Sequence, residues 1–315
     1  PVKDAAASGR REILMFGGIL VLMGAGWGAT QPLSKIAVST GYGPFGLLMW
    51  QQILGVVLMA CVCAVRRKPL PRTANALGAY VVIALVGTVL PNSISYTAAV
   101  HLPAGIMSLL LSIVPMFAFV IALQLGNDSF AWRRIAGLGF GLIGVVLVIA
   151  PSVDIGAVVP MEWAAAYLVV GLFYAFEGNY VARWGVAGLD PFQLMLGASL
   201  AGLVIVTPLA GGLGQTIPPQ WPLPLPQQAL VAASLVHVLV YASYVWLVGR
   251  AGAVFAVQVS YLVTGFGLFW AWFLLDEAFS NMIWLALAVM FLGVYLVQPR
   301  PRAILVAQTV TGDTG

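Results

Sequence analysis

Charged side chains are the scarcest class in this sequence of 315 residues. Lys and Arg together number 14 and Asp and Glu number 10, so charged residues make up 8% of the chain. Soluble globular domains carry about a quarter of their residues as charged side chains, and this composition excludes that class. Hydrophobic residues make up 61% of the chain, and the mean hydropathy is +1.00. The composition therefore predicts an all-α polytopic membrane protein.

Cysteine and histidine are also rare, with two residues of each type. Cys61 and Cys63 are two positions apart on a predicted helix and point to different sides, which disfavours a shared metal or a disulfide. His101 and His237 belong to different segments, without an H-E-x-x-H pair or a nucleophile elbow. The basic residues are scattered, unlike those of a nucleic-acid-binding face. The sequence thus predicts no enzyme activity, cofactor, metal or nucleic-acid partner.

Apolar runs long enough to cross a bilayer occupy most of the chain. A membrane-spanning helix needs about 20 apolar residues, and hydropathy divides the sequence into runs of about that length. Ten spans are predicted, at residues 13–39, 44–65, 75–99, 103–124, 132–150, 161–183, 191–210, 227–249, 253–275 and 281–297.

Basic residues distribute asymmetrically between the two ends of these spans. If the N-terminus is cytoplasmic, the outer connections carry no Lys or Arg, and only Lys35 lies near an outer end, inside the first span. This asymmetry predicts cytoplasmic tails at 1–12 and 299–315 and a bacterial cytoplasmic membrane protein. The Gly- and Pro-rich connection at 211–228 is predicted to form an outer cap. The inner segments carry Lys3, Arg10, Arg11, Arg66, Arg67, Lys68, Arg72, Arg133, Arg134, Arg183, Arg250, Arg300 and Arg302.

The two halves of the chain resemble each other. Residues 41–48 match residues 188–195 at a shift of 147, and Asp128 and Phe130 match Glu277 and Phe279 at a shift of 149. The repeat units are therefore predicted to be 13–150 and 151–298. Because each unit has five spans, the second unit must be inverted in the membrane relative to the first. Inverted repeats are typical of secondary transporters that work by alternating access.

The first span contains an unusual stretch, GAGWGATQPLSK at residues 24–35. Hydrocarbon offers no water to its polar groups, so Thr30, Gln31 and Ser34 are expected to face other helices or a wet cavity. Pro32 also removes a backbone donor and leaves a carbonyl of the preceding turn without its usual partner. The first span is therefore predicted to line a transport pathway.

Several motifs resemble those of the drug/metabolite transporter superfamily, in its ten-helix EamA-type branch. The resemblance covers residues 13–297 and rests on the doubled five-helix layout together with Trp27-Gly28, Lys35, Pro44-Phe45, Asp128 and Glu277. Within the superfamily, the chain looks most like amino-acid exporters, including exporters of aromatic amino acids. This resemblance implies a secondary transporter.

One position departs from that pattern. Family members often have an arginine early in the second helix, where this chain has Gln51 and Gln52. Any role of that arginine therefore does not carry over to this protein.

Polar and aromatic side chains recur at helical spacing in several spans. Residues three, four or seven positions apart share one face of a helix and can face a common cavity. Gating or coupling roles are predicted for Thr30, Lys35 and Glu177. Substrate-binding roles are predicted for Trp27, Gln31, Asn92, Tyr96, Ser108, Ser112, Trp163, Tyr174, His237, Tyr241, Tyr244, Gln258 and Tyr261.

Some of these residues have alternative roles. Trp163 is near a helix end, where Trp commonly anchors a span at the interface, and Lys35 can snorkel to the headgroups. Tyr241 can serve helix packing, and His237 can carry a proton, donate to substrate or pack. Glu177 lies well inside a span, where acids usually have a function. For Glu177, a hydrogen bond at an inner gate and proton coupling both remain open, and the gate is the preferred hypothesis.

The repeat also predicts a mechanism. At the shift of 147, Trp27 corresponds to Tyr174 and Thr30 to Glu177, and inversion places these pairs toward opposite membrane faces. The first and sixth spans are therefore expected to form opposite gates. Between the gates, a central site is predicted to be lined by the third, fourth, eighth and ninth spans.

The predicted cavity is aromatic and mostly neutral, which suits a small amphiphilic solute. Phosphorylated sugars fit poorly, because basic residues are almost absent within the spans. We therefore expect export of small neutral metabolites, above all amino acids including aromatic or hydrophobic ones. A channel-like or uncoupled facilitator is the alternative, and an intramembrane enzyme is a weaker one. The oligomeric state stays open, with a monomer as one option.

Overall fold

In a computed structural model, the described residues are 2–126, 130–149, 159–184, 186–251 and 259–297. Within these ranges the chain forms ten helical rods and no strand. The rods are α1 (Val2–Val38), α2 (Pro44–Val65), α3 (Ala74–His101), α4 (Ala104–Gln124), α5 (Trp132–Ile149), α6 (Met161–Trp184), α7 (Pro191–Gly212), α8 (Leu225–Ala251), α9 (Val259–Leu275) and α10 (Asn281–Val297).

The rods coincide closely with the predicted spans, and the protein is an all-α polytopic membrane protein. Six of the described helices are long and apolar enough to cross a bilayer: α1, α2, α3, α4, α7 and α8. The number of ten crossings and the cytoplasmic location of both termini remain predictions. Leu22 and Val204 are 73% and 76% exposed, as expected for side chains that face lipid.

Helix α1 differs from its predicted bounds, because it begins at Val2 rather than at residue 13. The added segment contains three consecutive alanines, and alanine has the highest helix propensity. The helix therefore continues beyond the apolar run, and hydropathy located the span but not the start of the helix.

Helices α2 and α7 run antiparallel, which shows the relative orientation of the two repeats. Arg66 and Lys68, directly after α2, bind the carboxylate of Asp190, directly before α7, at 3.0 and 2.8 Å. At the other end of the pair, the Phe45 N–H donates to Gln215 Oε1 at 3.0 Å. Since α2 and α7 are the second helices of their repeats, the repeats are inverted. We call the end of the protein that holds Arg66 and Lys68 the basic end.

Helix packing follows the same two-fold relation. In this relation, α1 of the first repeat is equivalent to α6 of the second, α3 to α8 and α4 to α9. Accordingly, α1 packs against α9 and α8, while α6 packs against α4 and α3. Helix α5 packs against α10, and both α2–α8 and α7–α3 are in contact. The two repeats are thus interleaved rather than stacked side by side.

The third rod is interrupted near its middle. Residues Ala84–Val89 form a π-helical turn, immediately before Leu90 and Pro91. Proline has no N–H to bond the carbonyl four residues earlier, which is that of Gly87. Wide turns of this type are frequent at functional sites. The turn places Gly87 directly against the carboxylate of Glu177 on α6.

The connection between α7 and α8 lies against the end of α2 opposite the basic end. Trp50 Nε1 donates to the Ile217 carbonyl at 2.8 Å, and Gln227 Nε2 donates to the Tyr42 hydroxyl at 3.2 Å. The non-helical part of the predicted cap is shorter than 211–228, because α7 ends at Gly212 and α8 begins at Leu225.

Candidate substrate-binding cavity

A polar cavity lies between α1, α2, α3, α6 and α8. Its volume is about 50 Å³, which accommodates a few water molecules. Pockets that enclose small-molecule ligands typically measure roughly 300–1,000 Å³, so the helices are close together in this conformation. The lining residues are Thr30, Gln31, Ser34, Gln51, Asn92, Ser95, Tyr96, Tyr174, Ala233 and His237.

Five of these residues were predicted to bind substrate: Gln31, Asn92, Tyr96, Tyr174 and His237. Thr30 was predicted as a gating or coupling residue, and Ser34 was expected to face other helices or a wet cavity. The predicted lining by the fourth and ninth spans differs from what is found. Among the described residues, α4 and α9 contribute no side chain to this cavity, whereas α1, α2 and α6 do. An inverted repeat is compatible with several sets of helices around the centre. The interleaved packing of the two repeats brings α1, α2, α3, α6 and α8 together there.

Gln51 is the centre of the hydrogen-bond network in the cavity. Its Oε1 accepts from the Tyr96 hydroxyl at 3.1 Å and, in a longer contact of 3.4 Å, from Asn92 Nδ2. Asn92 Oδ1 accepts from the Tyr174 hydroxyl at 2.9 Å. Sequence reasoning omitted Gln51 from the site. The available signal was an amide inside a predicted span, at a position where the transporters that the sequence resembles often have an arginine.

A second link joins α1 to α6. The Tyr167 hydroxyl donates to Gln31 Oε1 at 2.7 Å. Thr30 bonds back to its own helix, with its hydroxyl donating to the Trp27 carbonyl at 2.6 Å. The polar stretch of α1 therefore faces the cavity, as the sequence predicted for Thr30, Gln31 and Ser34.

Glu177 lies on α6 toward the basic end, outside the cavity lining. Its carboxylate contacts Gly87 in the π-helical turn of α3 and lies beside the Tyr241 side chain of α8. The Tyr241 ring in turn lies 6.4 Å from the ring of His237, which lines the cavity. Glu177 thus joins α3, α6 and α8 at a position adjacent to the cavity.

The aromatic residues Trp27, Tyr244 and Trp163 lie elsewhere. Trp27 and Tyr244 form a ring pair with centroids 5.5 Å apart, within an apolar cluster between α1, α8 and α9. Trp163 stacks on His101 at 4.2 Å. These three side chains have aromatic packing partners and do not line the cavity.

Ser108, Ser112 and Tyr261 lie in helix-packing contacts. Ser108 faces Gly267 on α9, and Ser112 Oγ contacts Met290 Sδ at 3.2 Å. The Tyr261 ring packs edge-on against Phe291. Gln258, the remaining predicted residue, is outside the described residues.

Lys35 and Glu277 both bind the connection between α3 and α4. Lys35 Nζ donates to the Leu102 carbonyl at 2.7 Å. The two Glu277 carboxylate oxygens accept from the N–H groups of Ala104 and Gly105, at 2.7 and 2.9 Å. Such bonds satisfy free N–H groups at the start of α4. The matching residue of the first repeat, Asp128, is outside the described residues.

A scan against protein-family models identifies the class of protein. The EamA-like transporter family model matches this chain twice, at residues 15–150 and 161–298. The chain belongs to the EamA-like transporter family. Each of the two matched segments covers a little less than half of the chain.

Two curated relatives share part of their length with this EamA-like transporter. A protein of Streptantibioticus cattleyicolor named "Probable terminal-alkyne amino-acid exporter" is 27% identical over 192 residues, covering 60% of this chain and 62% of the relative. A WAT1-related chloroplastic protein of Arabidopsis thaliana is 21% identical over 281 residues, covering 86% of this chain and 66% of the relative. The matches thus span slightly less than two thirds of each relative.

The crystal structure of another protein has the same fold. Its TM-score is 0.62 at 16% sequence identity, and the superposition covers 90% of this chain and 94% of that one. At this identity, the similarity concerns the fold alone.

Proposed function

We propose that this EamA-like transporter exports small neutral metabolites, namely amino acids including aromatic or hydrophobic ones, across a bacterial cytoplasmic membrane. The supporting observation is the neutral hydrogen-bonding wall of the cavity. Gln31, Gln51 and Asn92 each carry a side-chain acceptor and a donor group, while Tyr96 and Tyr174 add hydroxyls and rings. This wall can pair with both the ammonium and the carboxylate of a zwitterion without leaving a net charge in the membrane.

The name of the S. cattleyicolor relative supports the same substrate class. That protein is named as an exporter of a terminal-alkyne amino acid, a solute with an apolar side chain. An aromatic or aliphatic amino acid has the same two charged groups and a comparable apolar part. We infer that the amide groups bind the zwitterionic part and that the tyrosine rings contact the side chain.

Alternating access is the proposed mechanism. A cavity of about 50 Å³ requires the helices to separate before an amino acid can enter. The Gln31–Tyr167 bond joins α1 to α6 on the side away from the basic end, and the contact of Glu177 with Gly87 joins α6 to α3 toward the basic end. Breaking one link at a time would open the cavity to one side. Lys35 binds the α3–α4 connection on the side away from the basic end.

Counterflow in proteoliposomes tests this function. Vesicles preloaded with unlabelled tryptophan or leucine should take up the labelled amino acid faster than empty vesicles, and the uptake should saturate. Saturation and trans-stimulation distinguish a carrier from a channel. Unsaturable flux would instead indicate a channel, and flux confined to sugar phosphates or multiply charged cations would contradict the proposed substrate. In cells, expression should increase tolerance of toxic amino-acid analogues.

A further inference from the structure

Glu177 occupies a position that the transport cavity does not explain. Its side chain is partly buried and lies between the π-helical turn of α3 and Tyr241 of α8. An ideal Cβ on Gly87 would overlap the Glu177 carboxylate, so only glycine allows this close approach. The irregular turn in α3 therefore creates the space in which an intramembrane carboxylate is held.

Uncharged groups surround this carboxylate. The titratable groups that face it are Tyr174 on α6, and Tyr241 and Tyr244 on α8, with His237 beyond the Tyr241 ring. The turn at Ala84–Val89 and the α4 segment Val114–Gln124, which packs on α6, contain no titratable side chain. Within the described part of the chain, the ion pairs involve Asp190, and none involves Glu177.

A carboxylate without a basic partner has a high free energy in a membrane. Removing a charge from water is costly unless it is paired, and an acid in this situation lowers the cost by taking up a proton. The Tyr241 hydroxyl suits both forms. It can donate to the charged carboxylate, and it can accept from the protonated acid. The local structure can therefore hold Glu177 with or without the proton.

The surroundings of Glu177 are connected to the cavity by two routes. On α6, Tyr174 lies three residues before Glu177 and bonds to Asn92. On α3, the turn that contacts Glu177 at Gly87 is followed within the same rod by Asn92, Ser95 and Tyr96, which line the cavity. A change in the helical geometry of that turn would rotate these three residues relative to the part of α3 that precedes the turn.

We propose that Glu177 is a proton-binding site through which this transporter exchanges protons for its substrate. The Glu177 carboxylate takes up a proton from the acidic side and releases it on the other side, while the amino acid moves in the opposite direction. The identity of the exchanged solute rests on the proposed function. The assignment of Glu177 as the proton-binding residue does not depend on it. Proton exchange goes beyond holding the helices together at the basic end, which a neutral hydrogen-bonding residue would do without a charge in the membrane.

Proteoliposomes with an acidic interior test the coupling. Wild-type protein should accumulate labelled tryptophan inside against its gradient, and a protonophore should abolish the accumulation. Glu177→Gln keeps the shape and hydrogen bonding but cannot titrate, so its accumulation ratio should fall to that without a pH gradient. Its counterflow at symmetric pH should stay within about threefold of the wild-type rate, because that exchange needs no net proton movement.

Glu162→Gln is the matched control. Glu162 is an exposed carboxylate in the first turn of the same helix, and its substitution should preserve both accumulation and counterflow. Retained accumulation in Glu177→Gln would overturn the proposal and direct attention to His237. Wild-type counterflow without any pH-driven accumulation would also overturn it, while leaving the carrier function intact.

Infrared difference spectra between acidic and alkaline buffer provide a readout that does not depend on transport. A protonated carboxylic acid has a carbonyl stretch that its carboxylate lacks. The wild type and Glu162→Gln should share a pH-dependent component that is missing from Glu177→Gln. If the wild type and Glu177→Gln give the same spectra, the proposal is wrong. If the component is present but tryptophan counterflow is absent, the proton site stands and the proposed substrate fails.

Discussion

The Tyr174 hydroxyl donates a 2.9 Å hydrogen bond to the side-chain oxygen of Asn92 and so joins α6 to α3 across the cavity. Asn92 is also bonded to Gln51 on α2, so one amide connects three helices. In the proposed mechanism, opening the cavity separates these helices, and the bonds must be exchanged for bonds to water or substrate. The same amide would then hold the closed state and bind the solute.

The first prediction concerns Asn92. Asn92→Ala removes a donor and an acceptor that would bind the amino acid, and the loss of such a hydrogen bond from the substrate complex typically costs about 1–2 kcal/mol. We therefore expect the KM for tryptophan counterflow to rise about 5- to 30-fold. Ser93→Ala is the control, because the Ser93 hydroxyl bonds to the Leu90 carbonyl of its own helix and should leave the KM unchanged. Equal KM values for Asn92→Ala and wild type would exclude Asn92 from the binding site.

The second prediction concerns membrane orientation. On a background with Cys61 and Cys63 replaced by alanine, Thr216→Cys should react with an impermeant thiol reagent in intact cells. Thr216 lies in the exposed connection between α7 and α8. Arg72→Cys, in the basic connection after α2, should react only after the cells are permeabilised, because basic connections remain in the cytoplasm. If Arg72→Cys reacts in intact cells and Thr216→Cys reacts only after permeabilisation, the protein has the opposite orientation in the membrane.

The third prediction tests the close contact of α9 with α4 and α1. An ideal Cβ on Gly267 would overlap Ser108 Oγ, and the Cβ of an alanine at Gly28 would lie 2.8 Å from the Gly267 nitrogen. Gly267→Ala should therefore cost about 1–3 kcal/mol through overpacking and lower the Tm in detergent. Gly265 has no atom within 4 Å of its ideal Cβ, so Gly265→Ala should keep the Tm or raise it. An equally lowered Tm for Gly265→Ala would contradict the packing explanation, because alanine has the higher helix propensity and its Cβ meets no neighbour at that position.

The fourth prediction concerns Asp190 at the basic end. Partial burial acts to raise its pKa, but the hydrogen bonds from Lys68 and the Phe192 N–H and the charge of Arg66 outweigh burial, so the pKa is lowered. A lowered pKa means that the charged form stabilises the folded state. This contribution is complete above the unfolded pKa of about 3.9 and disappears as the pH falls through the folded pKa.

Two variants separate the contributions of Asp190. Asp190 also caps α7 by accepting from the Phe192 N–H at 3.0 Å. Asp190→Asn keeps a capping side chain and loses the ion pairs, so it should cost less than about 1 kcal/mol near neutral pH. Asp190→Ala loses the cap as well and should cost about 1–2 kcal/mol. Thermal unfolding in detergent should show the difference between Asp190→Asn and wild type vanishing in acid. A difference independent of pH would exclude the ion pairs as its cause.

The sequence by itself determined the class of protein and most of the helix bounds. The bounds of α2 and α10 match their predicted spans, 44–65 and 281–297. Apolar length sets these limits, because every backbone group in the hydrocarbon must be bonded within a helix. The inversion of the repeats also followed from the sequence, since five spans per unit leave the second unit in the opposite orientation. The start of α1 was missed, because helix propensity extends a helix beyond its apolar part.

Only the tertiary structure decided which polar residues meet. Helical spacing shows which side of a helix is polar, but not which neighbour covers that side. Gln31, Asn92 and Tyr174 therefore reach one cavity, while Ser108, with an equally polar position, packs on Gly267 instead. The role of Gln51 and the contact between Glu177 and Gly87 depend on how closely helices approach. That distance is set by small residues and an irregular turn distant in the sequence, which local periodicity does not encode.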